Sequence, residues 1–207
     1  MANPLSEEVA VLRPSLLPTG LEVLAHNLNR QQMDLALFEL GKVYSQAEGK
    51  RTEAEHLAIY LTGAEHPLNW VGKPGPMTLF HLRAVVEQLA WSLGLALAYQ
   101  AFEEEEVFSY GLRILHGEKT LGRIGEVRPA ELALYDIQQP VMYGWLAVAP
   151  MMKAAQQAQS VTYQPLPRYP AVRRDVSLLA PPEVGYAVLE AAVLQADKKL
   201  IQSVALF

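Results

Sequence analysis

Hydrophobic positions near the start of the chain change period once, and that change predicts the first two elements. Leu17, Leu21, Leu24 and Leu28 recur at helical spacing and give one apolar stripe. Ser15 stands where an N-cap belongs, and Pro18 falls in the first turn, where a missing N–H costs little. Gly20 weakens such a helix by about 1 kcal/mol relative to alanine, so packing must hold it. Val9 and Val11 predict a short extended entry to this helix. From Asp34 the period becomes two. Leu35, Leu37 and Glu39 alternate with Ala36, Phe38 and Leu40, and the run continues through Gly41, Lys42 and Val43 to Tyr44. Apolar residues on both parities predict a strand mostly buried on both faces.

The pattern repeats with variations downstream. Leu57, Ile59 and Leu61 alternate with Ala58, Tyr60 and Thr62, a second strand, and the proline- and glycine-rich residues 63–76 are irregular. Thr78 caps a helix whose inner stripe is Leu82, Val85, Val86, Leu89 and Leu93, and Gly94 ends it. The acidic run Glu103 to Glu106 predicts a solvated loop. Tyr110 to Leu115, a turn at Gly117-Glu118 and Thr120 to Val127 predict a hairpin. Gly122 and Gly125 in its return strand mark a bulge or a close backbone approach. Pro129 opens a short helix through Leu134, Val141 to Val148 is a strand, and Met151 to Gln159 a helix. This order predicts an antiparallel sheet flanked by helices, an α+β domain. Prolines at 165, 167 and 170 then break regular structure. Asp175 to Leu179, Pro182 to Asp197 and Leu200 to Leu206 predict a β-α-β unit. The expected division is residues 1–162, a linker at 163–170, and a second unit at 171–207.

Composition removes several function classes. The 207 residues carry a net charge of −5, so no overall basic field gathers nucleic acid. There is no cysteine, which excludes disulfides, thiolate catalysis and sulfur-ligated metals. No apolar run approaches the ~20 residues of a membrane span. The chain halts inside an apolar strand-like run, and the sequence reads as an excised fragment. His26, His56, His66, His81 and His116 do not stand at metal-ligand spacing. Ser109 and Ser177 lack the flanking glycines of a nucleophile elbow, and no phosphate-cradling glycine loop is present. Glu39 is either a buried acid with a task or an edge residue with a basic partner. Arg168, Arg173 and Arg174 form a dense basic cluster. It suits ion pairing, with Asp175 for example, or phosphate contact through guanidinium forks.

Three stretches, in order, resemble one family. NPLSEEVAVLRPSLLPTGLEVLAHNLNRQQMDLALFELGKVY, from Asn3 to Tyr44, resembles the opening of the catalytic-like module in bacterial phenylalanyl-tRNA synthetase β subunits. GRIGEVRPAELALYDIQ, from Gly122 to Gln138, matches a middle segment. YPAVRRDVSLLAP, from Tyr169 to Pro181, resembles the start of the ferredoxin-fold anticodon-binding domain that closes that subunit. The family's helix-opening pattern, of the type Asp-Phe-Phe-Asp-Leu-Lys-Gly, appears only as Leu79 to Ala84.

The resemblance implies a class II synthetase-like fold at 1–162 and a truncated ferredoxin-like unit at 171–207. In class II enzymes a strand like Ala36 to Tyr44 is followed by an arginine that holds ATP phosphate. Here Ser45 and Gln46 follow. A second ATP arginine sits on a glycine-rich strand-to-helix segment. The matching region, Gly144 to Met152, has none. The resemblance therefore implies a non-catalytic scaffold with no catalytic, cofactor or metal residues of its own, while the whole enzyme uses ATP and magnesium. Implied partners are the α subunit in an α2β2 assembly and, through the whole enzyme, tRNA(Phe), with no membrane and a cytoplasmic location. Glu39 and Tyr44 are the candidate subunit-interface residues, and Arg168, Arg173 and Arg174 the candidate tRNA contacts. The competing readings are a free-standing class II-like ATP-binding enzyme and a nucleic-acid-binding module.

Overall fold

The computed structural model describes residues 11–47, 49–70, 72–158 and 170–206. It divides into two compact units, Met1–Val161 and Thr162–Phe207. The first unit runs α1 (Leu17–Leu28), β1 (Leu35–Ala47), β2 (Lys50–Thr62), α2 (Leu79–Ser92), β3 (Ala98–Glu105), β4 (Phe108–His116), β5 (Lys119–Val127), α3 (Pro129–Ala133), β6 (Val141–Ala147) and α4 (Val148–Ala158). The six strands form one antiparallel sheet in the order β1-β2-β6-β5-β4-β3.

The central strands carry apolar residues on both parities because each face has its own core. On one face Ile59, Leu61, Ile124, Met142 and Leu146 pack with Leu82, Val86 and Ala90 of α2 and with Met151, Ala154 and Ala155 of α4. On the other, Ala58, Tyr60, Val127, Val141 and Tyr143 pack with Leu17, Leu21 and Leu24 of α1 and with Leu132 of α3. An antiparallel α+β domain is what the alternation predicts and what forms.

Four local expectations are corrected. Ser15 is not the N-cap of α1, because Leu16 already has helical backbone and is buried. The Leu16 carbonyl accepts from the Gly20 N–H, the Thr19 hydroxyl and the Tyr60 hydroxyl instead. The second correction is β1, an edge strand with only one covered face. Helices α2 and α4 sit over β2, β5 and β6, so Ala36, Phe38 and Leu40 remain exposed. Third, the acidic run ends a strand rather than forming a loop. Backbone pairing of β3 with β4 is indifferent to side-chain polarity, and an edge strand tolerates glutamates facing water. Last, Val85 leaves the inner stripe of α2 and is exposed. Gly122 and Gly125 are close backbone approaches: an added Cβ would lie 2.0 Å from the Trp145 carbonyl oxygen and 2.4 Å from that of Tyr110, respectively.

In the second unit α5 (Tyr186–Ala196) forms within the predicted helix and buries none of its residues. Asp175 to Leu179 and Leu200 to Leu206 form no strand among the described residues. A strand is defined by its neighbour, and residues 170–206 supply none. Leu179, Val176 and Leu200 are exposed accordingly. The extended entry at Val9 and the proline-rich stretch through Arg168 lie outside the described residues. No described helix is long and apolar enough to cross a membrane.

Candidate functional site

Antiparallel register brings together residues far apart in sequence. Glu39 pairs with Ala58, Ala58 with Trp145, Trp145 with Arg123, Arg123 with Arg113, and Arg113 with Gln100. Directly opposed residues share a face, so this row crosses the sheet on the side that α1 and α3 pack against. One extra residue creates the row's centre. Counting back from the turn at His116 and Lys119, Arg113 would oppose Gly122; the irregularity at Leu121 moves it onto Arg123. Two arginines then stand opposite each other, which is destabilising unless a negative charge intervenes.

The intervening charge comes from the β3–β4 tip. Glu105 accepts from Arg113 at 2.7 Å on one carboxylate oxygen and from Arg123 at 3.1 Å on the other. Glu106 pairs with Arg123 at 2.6 Å, and its backbone is left-handed, with φ +54°. Arg128, at the start of α3, lies 3.6 Å from Glu104 and 3.4 Å from Glu131. Arg113, Arg123 and Arg128 thus face Glu104, Glu105, Glu106 and Glu131, four carboxylates against three guanidiniums. The Nε atoms of Arg123 and Arg128 are buried and have no hydrogen-bond partner among the described residues.

The same row continues toward β1. Trp145 stacks on His56 at 4.7 Å between centroids, and burial lowers the His56 pKa, so its ring is neutral at pH 7. Glu39 accepts from Arg13 at 2.7 Å, both side chains being about one-third exposed. The Tyr143 hydroxyl is held neutral, first by burial and then by the negative fields of Glu39 and Glu106.

The residues singled out from sequence have separate settings within their own units. Glu39 has its basic partner within the chain, Arg13, and faces α1. Tyr44 is half-buried, and its N–H donates to the Arg13 carbonyl. Arg173 and Arg174 are exposed in the second unit, and Arg168 lies outside the described residues. Ser45, at the position where the resemblance leads to an arginine, holds the Thr52 hydroxyl at 2.6 Å across the β1–β2 hairpin. In the Gly144–Met152 region, Gly144 packs against Ile124, while Ala149 and Pro150 line a cavity of about 680 Å³ with His116, Lys119, Lys153 and Gln157. No arginine among the described residues lines it. Sequence reasoning missed Arg113, Arg123 and Arg128. The available signal was a pair of arginines flanking a recognisable turn, next to an acidic run, but the bulge that aligns them leaves no mark in the residue pattern.

The family described as phenylalanyl tRNA synthetase beta chain CLM domain matches residues 1–147. The whole chain aligns at 33% identity with the phenylalanine–tRNA ligase beta subunit of Listeria monocytogenes serotype 4b (strain F2365), covering 26% of that protein. It aligns at 36% with the beta subunit of Symbiobacterium thermophilum, covering 23% of it. The chain therefore spans about a quarter of the length of these relatives. Among solved structures, pyrrolysyl-tRNA synthetase from Desulfitobacterium hafniense shares the fold, with TM-score 0.53 and 19% identity over 73% of this chain and 53% of the other.

Proposed function

The chain belongs to the phenylalanyl-tRNA synthetase beta chain CLM domain family, and from that premise we propose that it is a non-catalytic scaffold segment of a phenylalanine–tRNA ligase. Its partner is the ligase α subunit, in an α2β2 assembly working in the cytoplasm. The whole enzyme acts on phenylalanine, ATP with magnesium, and tRNA(Phe), and this segment binds no cofactor of its own. The observation that carries the reading is the bare face of β1. Phe38 is 77% exposed and Leu40 58%, on a strand whose register neighbours Ile59 and Leu57 lie in or against a core. Such a contiguous apolar row on a sheet edge marks an assembly surface. The paired arginines weigh against the ATP-binding alternative, because a triphosphate would meet guanidiniums already neutralised.

Tyr44 and Glu39 lie on the same strand, and Tyr44 shares the parity of Phe38 and Leu40, which supports it as an interface residue. Glu39 takes part by fixing Arg13 against β1. Residues 171–207 are the opening of a ferredoxin-like anticodon-binding unit, with Arg173 and Arg174, and Arg168 before them, as tRNA contacts. Support comes from α5 and from the exposed apolar runs on either side of it, which suit strands awaiting neighbours.

Mixing the protein with a phenylalanine–tRNA ligase α subunit tests the assembly. A complex is expected by analytical ultracentrifugation, and Phe38→Asp with Leu40→Asp is expected to weaken it at least about tenfold, a loss of about 1.4 kcal/mol. Absence of any complex, or indifference to the double substitution in a folded protein, overturns the proposal.

A further inference from the structure

We propose that the cavity between the β4–β5 turn and α4 binds a small organic carboxylate with an apolar body, of the aryl or branched alkyl kind. The inference is independent of the assembly reading above. The cavity measures about 680 Å³, within the roughly 300–1,000 Å³ of small-molecule sites. It opens on the α2–α4 side of the sheet, because its floor is Leu121 and Ala154, both buried members of that core. Leu121 reaches the floor through the register irregularity between Ile114 and Leu115, which leaves it without a cross-strand partner in the hairpin.

Two walls of different origin flank that floor. The hairpin wall carries His116 and Lys119, which are register partners, with Glu118 in the turn between them. The helix wall carries Lys153 and Gln157, one turn apart on α4 and so on one face. The state of these polar groups points to a ligand. Arg113 and Arg123 are neutralised by glutamates, and Lys42 pairs with Glu53. Lys119, Lys153 and Glu118 have no ion pair among the described residues, and the Gln157 amide has no hydrogen-bond partner among them. His116 donates from Nδ1 to the Ala96 carbonyl at 3.0 Å, which ties the ring down and leaves Nε2 without a partner among the described residues. Two ammonium groups against one carboxylate make the lining net positive by a single charge, in a protein of net charge −5. The complement of such a lining is a monoanion, and Glu118 beside Lys119 disfavours a polyanion. The carboxylate takes the ammonium groups at the rim, and the apolar body rests on Leu121 and Ala154, out of water.

The test titrates phenylbutyrate into the unaltered protein and follows its amide NMR shifts. Saturable shifts are expected at Leu121, Ala154 and Gln157, with half-saturation below about 10 mM, as suits a ligand of this size. Lys119→Gln with Lys153→Gln is expected to weaken binding at least about fivefold. Both lysines are exposed, so this variant keeps the fold. Phenylbutanol keeps the ring and loses the charge, and is expected to bind at least about fivefold more weakly than the acid. Acetate keeps the charge and loses the ring, and is expected to give no saturable shift. No saturable shift at these amides with phenylbutyrate overturns the proposal. So does equal affinity in the double glutamine variant, or an alcohol that binds as tightly as the acid. Acetate binding as tightly as phenylbutyrate also overturns it, since the lysines would then hold an adventitious ion only.

Discussion

The two edges of the sheet are finished in opposite ways. The β3 edge is short, 8 residues, and ends in glutamates, with Glu103 facing water, Glu104 exposed beside Arg128, and Glu105 and the following Glu106 turned onto arginines. Its two large aromatic residues are partly buried: Tyr99 packs against the α2 and α4 core, and Phe102 meets Phe108 edge-on at 5.7 Å. The β1 edge is 13 residues long and presents Ala36, Phe38 and Leu40 bare. Among the described residues, the entry segment meets its far end, where the Tyr44 N–H donates to the Arg13 carbonyl and the Arg13 guanidinium to the Lys42 carbonyl. Strand alternation sets the backbone groups of Ala36, Phe38 and Leu40 on that same outer side. Charges and a tight tip keep strangers off an edge, whereas a long apolar edge invites pairing. One sheet thus carries a closed edge and an open one.

Phenylalanine truncation breaks the comparison most sharply. Phe108, fully buried and stacked 5.7 Å from Tyr143, anchors the closed edge. Phe108→Ala is expected to cost about 3–5 kcal/mol in urea unfolding. Phe38→Ala on the open edge is expected to stay within about 0.5 kcal/mol. Equal losses would mean that Phe38 is packed after all. Next in size is Gly20→Ala in α1, the helix that covers the one packed face of β1. Its Cβ would lie 2.2 Å from the Tyr60 ring, so a loss of about 1–3 kcal/mol is expected despite alanine's better helix propensity. A rise in melting temperature would show that the ring moves aside freely.

Tyr60→Phe sharpens the same point. The buried hydroxyl donates to the Leu16 carbonyl at 2.7 Å and ties α1 to β2. Leu16 keeps two other donors, so the expected cost is only about 1 kcal/mol, with faster amide exchange in β1 than in β3. The smallest effect is one of pH. Burial lowers the pKa of His56 from 6.5, so the unfolded chain takes up this proton first as pH falls. Its contribution to stability is complete above pH 6.5 and declines below that, down to the lowered native value. Melting curves of the protein and of His56→Phe are expected to diverge in pH slope only below 6.5. Parallel slopes would remove His56 from the account.

Much of the first unit was legible because its signals are local. The leucine stripe of α1, the alternation in β2 and the turn of the β4–β5 hairpin each fix an element from a few neighbouring residues. The candidate site was not legible. Glu39 was visible as a charge in an apolar strand, but its partner Arg13 is 26 residues away and across a helix. Arg113 and Arg123 were invisible as a pair because one residue of bulge decides whether they meet.

The sequence by itself determined element type, the α+β class and the family, since periodicity, turn residues and long motifs are properties of the chain alone. Only the tertiary structure decided which strands are edges, which face of β1 stays bare, and where the acidic tip lands. These depend on hydrogen-bonded neighbours and register. Asp175 to Leu179 shows the limit most plainly: its residues favour a strand, yet without a neighbouring strand among the described residues none forms.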